Sequence, residues 1–411
     1  MRYPSIFLAA LAALSSACSD DALPSTAATA NAKATAPTPV IDGHIDLLIH
    51  YLGEDGVSWQ PATSYDIGTR ARGQVDLARL EAGGVAGAIF TVGAPDAAHR
   101  RESLQGALDL LHALAQRHPR RLAVVGDAAS MEAAMQAGRI AMLPGLEGGD
   151  QIDGSIAQLR AANAAGVRAM TLVWEKTNEI GDSNADVARH GGLSAFGHEV
   201  VAEMNRLGML VDLSHAAEST AFDAIAASRA PVILSHSSAR ALCDTPRNAS
   251  DVLLRRVSAN GGLVMVSFVP YLTSPRYRAW YLAGESEWAR LKKLHAGDEA
   301  AAQRDMQAWE TAQPAPVVRV ADVADHVEHM RHIAGIDHVG LGSDFDGMYG
   351  SVEGLADPTG IPTLLAELRS RGWTEADLRK LAGGNFLRVL REVGHAPDRK
   401  VLPPEKRAAG Q

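Results

Sequence analysis

Cysteine is nearly absent from this chain: its 411 residues include two, Cys18 and Cys243. That excludes a disulfide scaffold and any Cys-rich zinc site, so a metal would have to be held by His, Asp and Glu. A basic excess is missing too. Lys and Arg number 39 against 48 Asp and Glu, a formal charge of −9. This balance argues against a nucleic-acid binder, which would present a basic face. No Gly-x-Gly-x-x-Gly turn follows a strand pattern, which counts against a doubly wound dinucleotide-binding sheet. What is present is ordinary for a globular chain with a large core: 46% hydrophobic and 21% charged residues. That composition excludes a collagen, a coiled coil and a disordered chain.

The first residues read as a targeting segment. Arg2 precedes the apolar run Ile6 to Leu14, which is too short to span a bilayer, and "SSAC" follows, ending at Cys18. Residues 1–18 are therefore expected to be a signal peptide with Cys18 as a lipobox-like lipidation site. The plainer alternative is an ordinary signal peptide with Cys18 incidental. Residues 19–38, rich in Ala, Ser, Thr and Pro, read as a tether that cannot bury enough surface to fold. The expected protein is exported to the periplasm or cell envelope and held at the membrane by an N-terminal lipid. Its folded part begins near Pro39, and residues 396–411 read as a loose tail.

From residue 40 onward short apolar runs alternate with helical patterns. The expected strands are Val40–Asp46, Val85–Val92, Ile140–Leu146, Ala169–Val173, Leu210–Ser214, Val232–Ser235, Leu263–Phe268 and His338–Gly342. Most are apolar at consecutive positions, as strands covered on both faces should be. Helical patterns lie between them, for instance Ser103–Arg117, Ser155–Ala165, Ser194–Leu207 and Ala217–Ser228. Eight strand–helix repeats point to an α/β fold closed as a (β/α)8 TIM barrel over 39–395. Leu122–Gly126 is an additional strand candidate, and residues 271–318, with several Trp and Tyr, read as a helical insertion.

In such a barrel, chemistry sits at the C-terminal ends of the strands. "VIDGHIDLL" puts His44 and Asp46 two apart, on one side of an extended segment, with Asp42 in phase as a support. Taken alone, that pair reads as a satisfied His beside a capping Asp. "MLPGLEGGD" sets Glu147 after an apolar run, either facing the barrel mouth or serving a helix N-terminus. "LVDLSH" and "VILSH" each end a strand in Ser-His, giving His215 and His236. "GLGSDFDG" offers Asp344 or Asp346; Asp344 comes first, and Asp346-Gly347 reads as a turn. Five ligand-type residues from four strands are too many for one open zinc, which keeps three protein ligands. Two ions sharing Glu147 would use all five. Such paired ions sit about 3.5–4 Å apart and can share a hydroxide that attacks a carbonyl.

Together "DGHIDLL", "QVDLARLEAGGVAGAIF", "PGLEGGD", "LVDLSH", "VILSHSSARALCDTPRN", "DHVGLGSDFDG" and "GGNFLRV" resemble the membrane dipeptidase (renal dipeptidase-like) family of metallopeptidases. The resemblance spans roughly residues 40–390. It implies a zinc-dependent dipeptidase with two Zn2+ ions per chain. His44 and Asp46 would hold one ion, His215 and His236 the other, and Glu147 would bridge them. It further implies Asp344 as the acid/base, Arg247 as the residue that binds the substrate carboxylate, dipeptides as substrates and a homodimer. Without the resemblance, Arg247 would read as a surface salt bridge. The chain departs from the mammalian members at Trp174, where they place a substrate-contacting His. Trp174 then reads as a substrate contact or pocket wall, with Asn178 and Asp182 nearby as compensating polar groups. Two other readings compete. One is another amidohydrolase-type enzyme acting on a cyclic amide, lactone or β-lactam, with Lys176 as a carbamylated bridge. The other is a non-catalytic exported binding lipoprotein.

Overall fold

The computed structural model describes residues 38–53, 58–69, 73–93 and 100–395. The signal peptide, Cys18, the tether up to residue 37 and the tail lie outside the described residues. Among the described residues nine parallel strands form the sheet: β1 Val40–Ile45, β2 Val85–Val92, β3 Leu122–Val124, β4 Ile140–Leu146, β5 Ala169–Thr171, β6 Leu210–Asp212, β7 Ile233–Leu234, β8 Leu263–Val266 and β9 Val339–Leu341. Eight of them close a ring. β1 pairs with β2, β2 with β4, each strand from β4 to β8 with its successor, and β9 returns to β1 through Asp42 and Leu341. This is the expected (β/α)8 barrel.

β3 stands outside the ring and shares an edge of β4 with β5. Leu122–Val124 pair with Ile140–Met142, and β5 takes over at Gly145 and Leu146. Pro144 sits at the handover. Proline has no N–H to give a ladder and is tolerated only where none is needed. Its carbonyl still accepts from the Arg168 N–H at 2.9 Å.

The strands run on consecutive apolar residues because helices cover them outside and other strands face them inside; all seven residues of β4 are buried. Ser155, Ser194 and Ser250 cap the helices Ile156–Ala164, Ala195–Leu207 and Asp251–Asn260 by accepting a backbone N–H. The last helix, Asn385–Gly394, places Phe386, Val389, Leu390 and Val393 in one buried cluster with Ile41, Leu210, Ile233 and Leu263. Those four lie at or near the starts of their strands, so the helix seals the end of the barrel opposite the C-terminal rim.

β5 to β9 are shorter than their sequence patterns suggested. β6 stops at Asp212, β7 at Leu234 and β9 at Leu341, before the residues that carry chemistry. The chain has to leave the sheet to turn those side chains inward. His215 and Asp344 do so with left-handed backbone, at φ 68° and 67°.

Residues 279–315 form a separate helical unit. Its described core is Trp288, Leu291, Ala302 and Met306, with Trp309 packed against them. The Trp280 indole N–H donates to the Gln313 carbonyl at 2.7 Å.

Gly43 tests the packing inside the ring. A Cβ there would lie 2.1 Å from the Ser235 carbonyl oxygen and 2.7 Å from Met265 Sδ. That oxygen is backbone and cannot rotate away as a side chain can, so Gly43→Ala should cost about 1–3 kcal/mol. A thermal melt should show the loss. Gly394→Ala, where a Cβ meets nothing within 4 Å, should leave the midpoint unchanged or slightly raised.

Candidate metal centre

Three imidazoles and one carboxylate oxygen converge at the C-terminal rim. Glu147 Oε1 lies 3.1 Å from His215 Nε2, 3.3 Å from His236 Nε2 and 3.6 Å from His44 Nε2. His44 Nε2 is in turn 3.4 Å from Asp46 Oδ1. The ligand atoms of His44, Asp46 and Glu147 all lie within 4.8 Å of one another, and so do those of Glu147, His215 and His236. Glu147 belongs to both groups, the arrangement expected of a bridging carboxylate. His44, His236 and Asp344 form a third such group.

Each side chain reaches the centre by a local device. The pairing of β1 shifts register between Asp42 and Ile45, and Asp46 has already left the strand (φ −98°, ψ 28°). His44 and Asp46 therefore meet through an irregular strand end, and not by simple alternation along an extended segment. Glu147 follows the last residue of β4. It caps no helix, because the N-cap of the next short helix is Gly148 and no side chain serves it. The Gln151 side-chain amide donates to the Glu147 carbonyl at 2.8 Å. Ser235 Oγ sits 2.8 Å from His236 Nδ1, and Thr91 Oγ1 3.1 Å from His44 Nε2.

Two buried aspartates hold the strand ends that carry these ligands. Asp42 accepts the N–H of His44 at 3.2 Å and of Ser343 at 2.7 Å, joining β1 to the segment after β9. Asp212 accepts the N–H groups of Ser214 and Ser235, both at 3.0 Å, joining the ends of β6 and β7. Asp42 carries the support expected from its phase. Asp212 went unread, although "VIDGH" and "LVDLSH" place an aspartate at a similar distance before a histidine.

The electrostatics suit cations. Burial pushes the Glu147 carboxyl up to about 8, and Asp46 and Asp344 add to the push while His44 opposes it. Burial and the nearby cationic Arg247 and His44 hold His215 and His236 well below the usual imidazole range. Both are thus neutral, with their Nε2 atoms 3.1 Å apart. His44 goes the other way: burial opposes its charge, but Asp46 and Glu147 outweigh burial and raise it to about 10. Neutral imidazoles turned toward one another around crowded carboxylates are a donor set that a divalent ion completes. Zinc fits the ligand types.

The remaining expected residues fall as follows. Asp344 lies beside the ligands, and burial pushes its carboxyl up to about 6, with Asp46 adding and His44 opposing. Asp346 faces away: it accepts the Gln74 N–H and lies 3.1 Å from His50. Arg247 is nine-tenths buried and not a surface salt-bridge residue. Its Nη1 donates to Ser237 Oγ at 2.8 Å, and its Nε has no partner. Trp174 stands at the rim with its ring 6.5 Å from that of His215, edge to face.

Asn178 and Asp182 correct the reading. Both are buried inside the loop that follows β5. Asn178 donates to the Leu172 carbonyl and accepts from Ile180 and Gly181; Asp182 accepts the N–H groups of Arg189, His190 and Gly192. They shape the loop and leave nothing to compensate for a missing histidine. Lys176 is exposed and pairs with Asp186 at 3.3 Å, so it bridges no metals.

A closed (β/α)8 barrel with His, Asp and Glu converging at its C-terminal rim defines a metal-dependent hydrolase scaffold. Within that class the chain belongs to the membrane dipeptidase family (peptidase family M19), whose model matches residues 30–402. It is 36% identical over 372 residues to dipeptidase aclJ of Aspergillus oryzae, covering 87% of this chain and 78% of that one. It is 31% identical to dipeptidase 3 of Rattus norvegicus, covering 90% of this chain and 70% of the relative. Among solved structures it resembles a metallopeptidase from Rhodobacter sphaeroides liganded with a phosphinate mimic of the dipeptide L-Ala-D-Ala. That match has 25% identity and a TM-score of 0.67, and covers 86% of this chain and 99% of the other.

Glu147 sits in both ligand groups, so its loss should weaken both. Glu147→Gln is expected to lower metal content across the whole centre, whereas His215→Ala should spare the group formed by His44 and Asp46. Metal per chain by elemental analysis after dialysis checks this. Selective loss from one group in Glu147→Gln would contradict the shared role.

Proposed function

We propose that this protein is a zinc dipeptidase holding two ions per chain. In this reading His44 and Asp46 hold one ion, His215 and His236 the other, and Glu147 spans both. The observation that carries it is the position of Glu147 Oε1, within 3.1–3.6 Å of three histidine nitrogens that belong to two ligand groups. When bound, the ions polarise a scissile carbonyl and make water acidic enough to attack at neutral pH.

The chain's own residues do the rest. Asp344 takes the proton of the attacking water and passes it to the leaving nitrogen. A carboxyl raised toward neutrality by burial suits that exchange. Arg247 binds the substrate's terminal carboxylate, and its unpartnered Nε supports this role, since a guanidinium offers a fork matched to a carboxylate. Arg247 and the metal centre together fix both ends of the span between carboxylate and scissile bond. That span selects two-residue substrates, because a longer chain would misplace the bond. Trp174 serves as an apolar wall with an N–H donor, in place of a basic side chain. The L-Ala-D-Ala mimic on the Rhodobacter sphaeroides relative makes L,D-dipeptides a substrate class to include.

The N-terminal pattern supports export and anchoring through Cys18. Labelled fatty acid should enter the full-length protein and not Cys18→Ala.

The deciding experiment measures metal content and turnover on one purified sample. About two zinc ions per chain and chelator-sensitive cleavage of dipeptides but not tripeptides are expected. Metal without any dipeptide cleavage would overturn the substrate assignment. Asp344→Asn should lower kcat by about 10²–10⁴-fold with metal retained. Arg247→Ala should raise KM for free-carboxylate dipeptides roughly tenfold to hundredfold. An equal loss on a C-terminally amidated substrate would remove Arg247 from the carboxylate.

A further inference from the structure

Two buried side chains outside the metal centre have their polar atoms committed, and both join the same two segments of the rim. The first segment follows β7 and His236 and carries Arg247. The second is the short helix Pro270–Thr273 after β8.

His326 comes from the helix Val320–Ala334 and is 1% exposed. Its Nδ1 accepts the Ala239 N–H at 2.9 Å, and its Nε2 donates to the Thr273 carbonyl at 3.1 Å. A backbone N–H only donates and a carbonyl only accepts, so this ring is neutral with its proton on Nε2. Burial agrees, holding the imidazole down at about 4.

Asn248 is the second brace and the immediate neighbour of Arg247. Its Oδ1 accepts the Ser238 N–H at 3.1 Å. Its Nδ2 donates to the Cys243 carbonyl at 2.9 Å and to the Leu272 carbonyl at 2.8 Å. Ala239, Ser238 and Cys243 thus belong to one segment and Leu272 and Thr273 to the other, and the two side chains tie them at separate points.

The chemistry of Arg247 explains the need. Arginine is long and loses much rotamer freedom when it is fixed. Among the described residues its guanidinium donates to Ser237 Oγ, and its Nε has no partner. The side chain can be aimed only if its backbone is held. Within its own segment the Arg240 guanidinium donates to the Thr245 and Pro246 carbonyls. Across to the helix Pro270–Thr273, Asn248 and His326 make the tie, beside a long Cys243 Sγ contact to the Tyr271 carbonyl at 3.5 Å.

We propose that His326 and Asn248 are positioning residues for substrate binding: by cross-linking the two rim segments they hold Arg247 where a dipeptide carboxylate meets it. The inference rests on the carboxylate-binding role of Arg247 proposed above. Packing alone would not require it, since a leucine could fill the volume of His326 without joining either segment.

The test uses the full-length, metal-loaded enzyme with L-Ala-L-Ala and its C-terminal amide, in His326→Leu, His326→Asn, Asn248→Ala, Arg247→Ala and the double variant Arg247→Ala/His326→Leu. His326→Leu should raise KM for the free dipeptide about tenfold while kcat changes less than about threefold. The amide should show less than about a threefold change in either constant. His326→Asn, whose amide oxygen can take the place of Nδ1 toward Ala239, should recover much of the lost affinity. Asn248→Ala should give the same split and serves if His326→Leu does not fold. In the Arg247→Ala background the His326 change should add nothing further. An equal loss on both substrates, a fall in kcat instead of a rise in KM, or additive losses in the double variant would overturn the brace. If Arg247→Ala discriminates between the substrates and the His326 and Asn248 variants do not, the carboxylate role stands and the brace falls. If Arg247→Ala itself fails to discriminate, both fall.

Discussion

Crowded negative charge is the constraint on which the structure turns. Asp46, Glu147 and Asp344 are half-buried near one another at the centre of the rim. Carboxylates taken out of water and set side by side resist ionisation, and the upward shifts of Glu147 and Asp344 record that resistance. Neutral His215 and His236 offer lone pairs and no compensating charge. Cations resolve the conflict, so the fold around the site must hold carboxylates and imidazoles in place whether or not they are comfortable.

The fold does this with backbone hydrogen bonds more than with side-chain packing. Asp42 and Asp212 each collect two N–H groups from neighbouring strand ends. A buried carboxylate accepting backbone donors is a strong, directional fastener, and it fixes strands where their ladder pairing has already stopped. β7 keeps Ile233 and Leu234 in the ladder; beyond it the Asp212 carboxylate and the Ser237 N–H bond to the Met265 carbonyl at 2.9 Å carry the register. The candidate ligands are therefore set by groups outside the donor set, as second-layer partners of metal sites commonly do.

Much of this was legible in the sequence, and the exceptions have physical causes. β2 and β4 begin and end where the apolar runs do, because both are covered along their whole length. β6 and β9 stop early, because apolar character continues into Leu213 and Gly342 after the backbone has turned toward the rim. The candidate metal ligands could be found because each lies at the C-terminal end of a strand pattern or just past it. Arg247 could not be placed by pattern alone: it lies on an irregular segment hydrogen-bonded by Asn248 and by His326, about eighty residues away in sequence. Asn178 and Asp182 misled for a related reason. A polar residue near a site can face substrate or its own loop, and spacing does not distinguish them. Pro144 inside a strand pattern is explained only once β3 and β5 are seen to share one edge of β4.

The left-handed backbone at His215 has a consequence for how the sequence can drift. Glycine would adopt that conformation freely, while a branched or ring-bearing residue there holds on the order of 1 kcal/mol or more of strain. A lineage that no longer needed the centre would relieve this strain by replacing the histidine with glycine, and could do so while the barrel stayed intact. Position 215 is thus a place where thermodynamic preference and chemical use pull in opposite directions. A descendant that had abandoned catalysis would be recognised there first, as a better-folded protein with an unchanged outline.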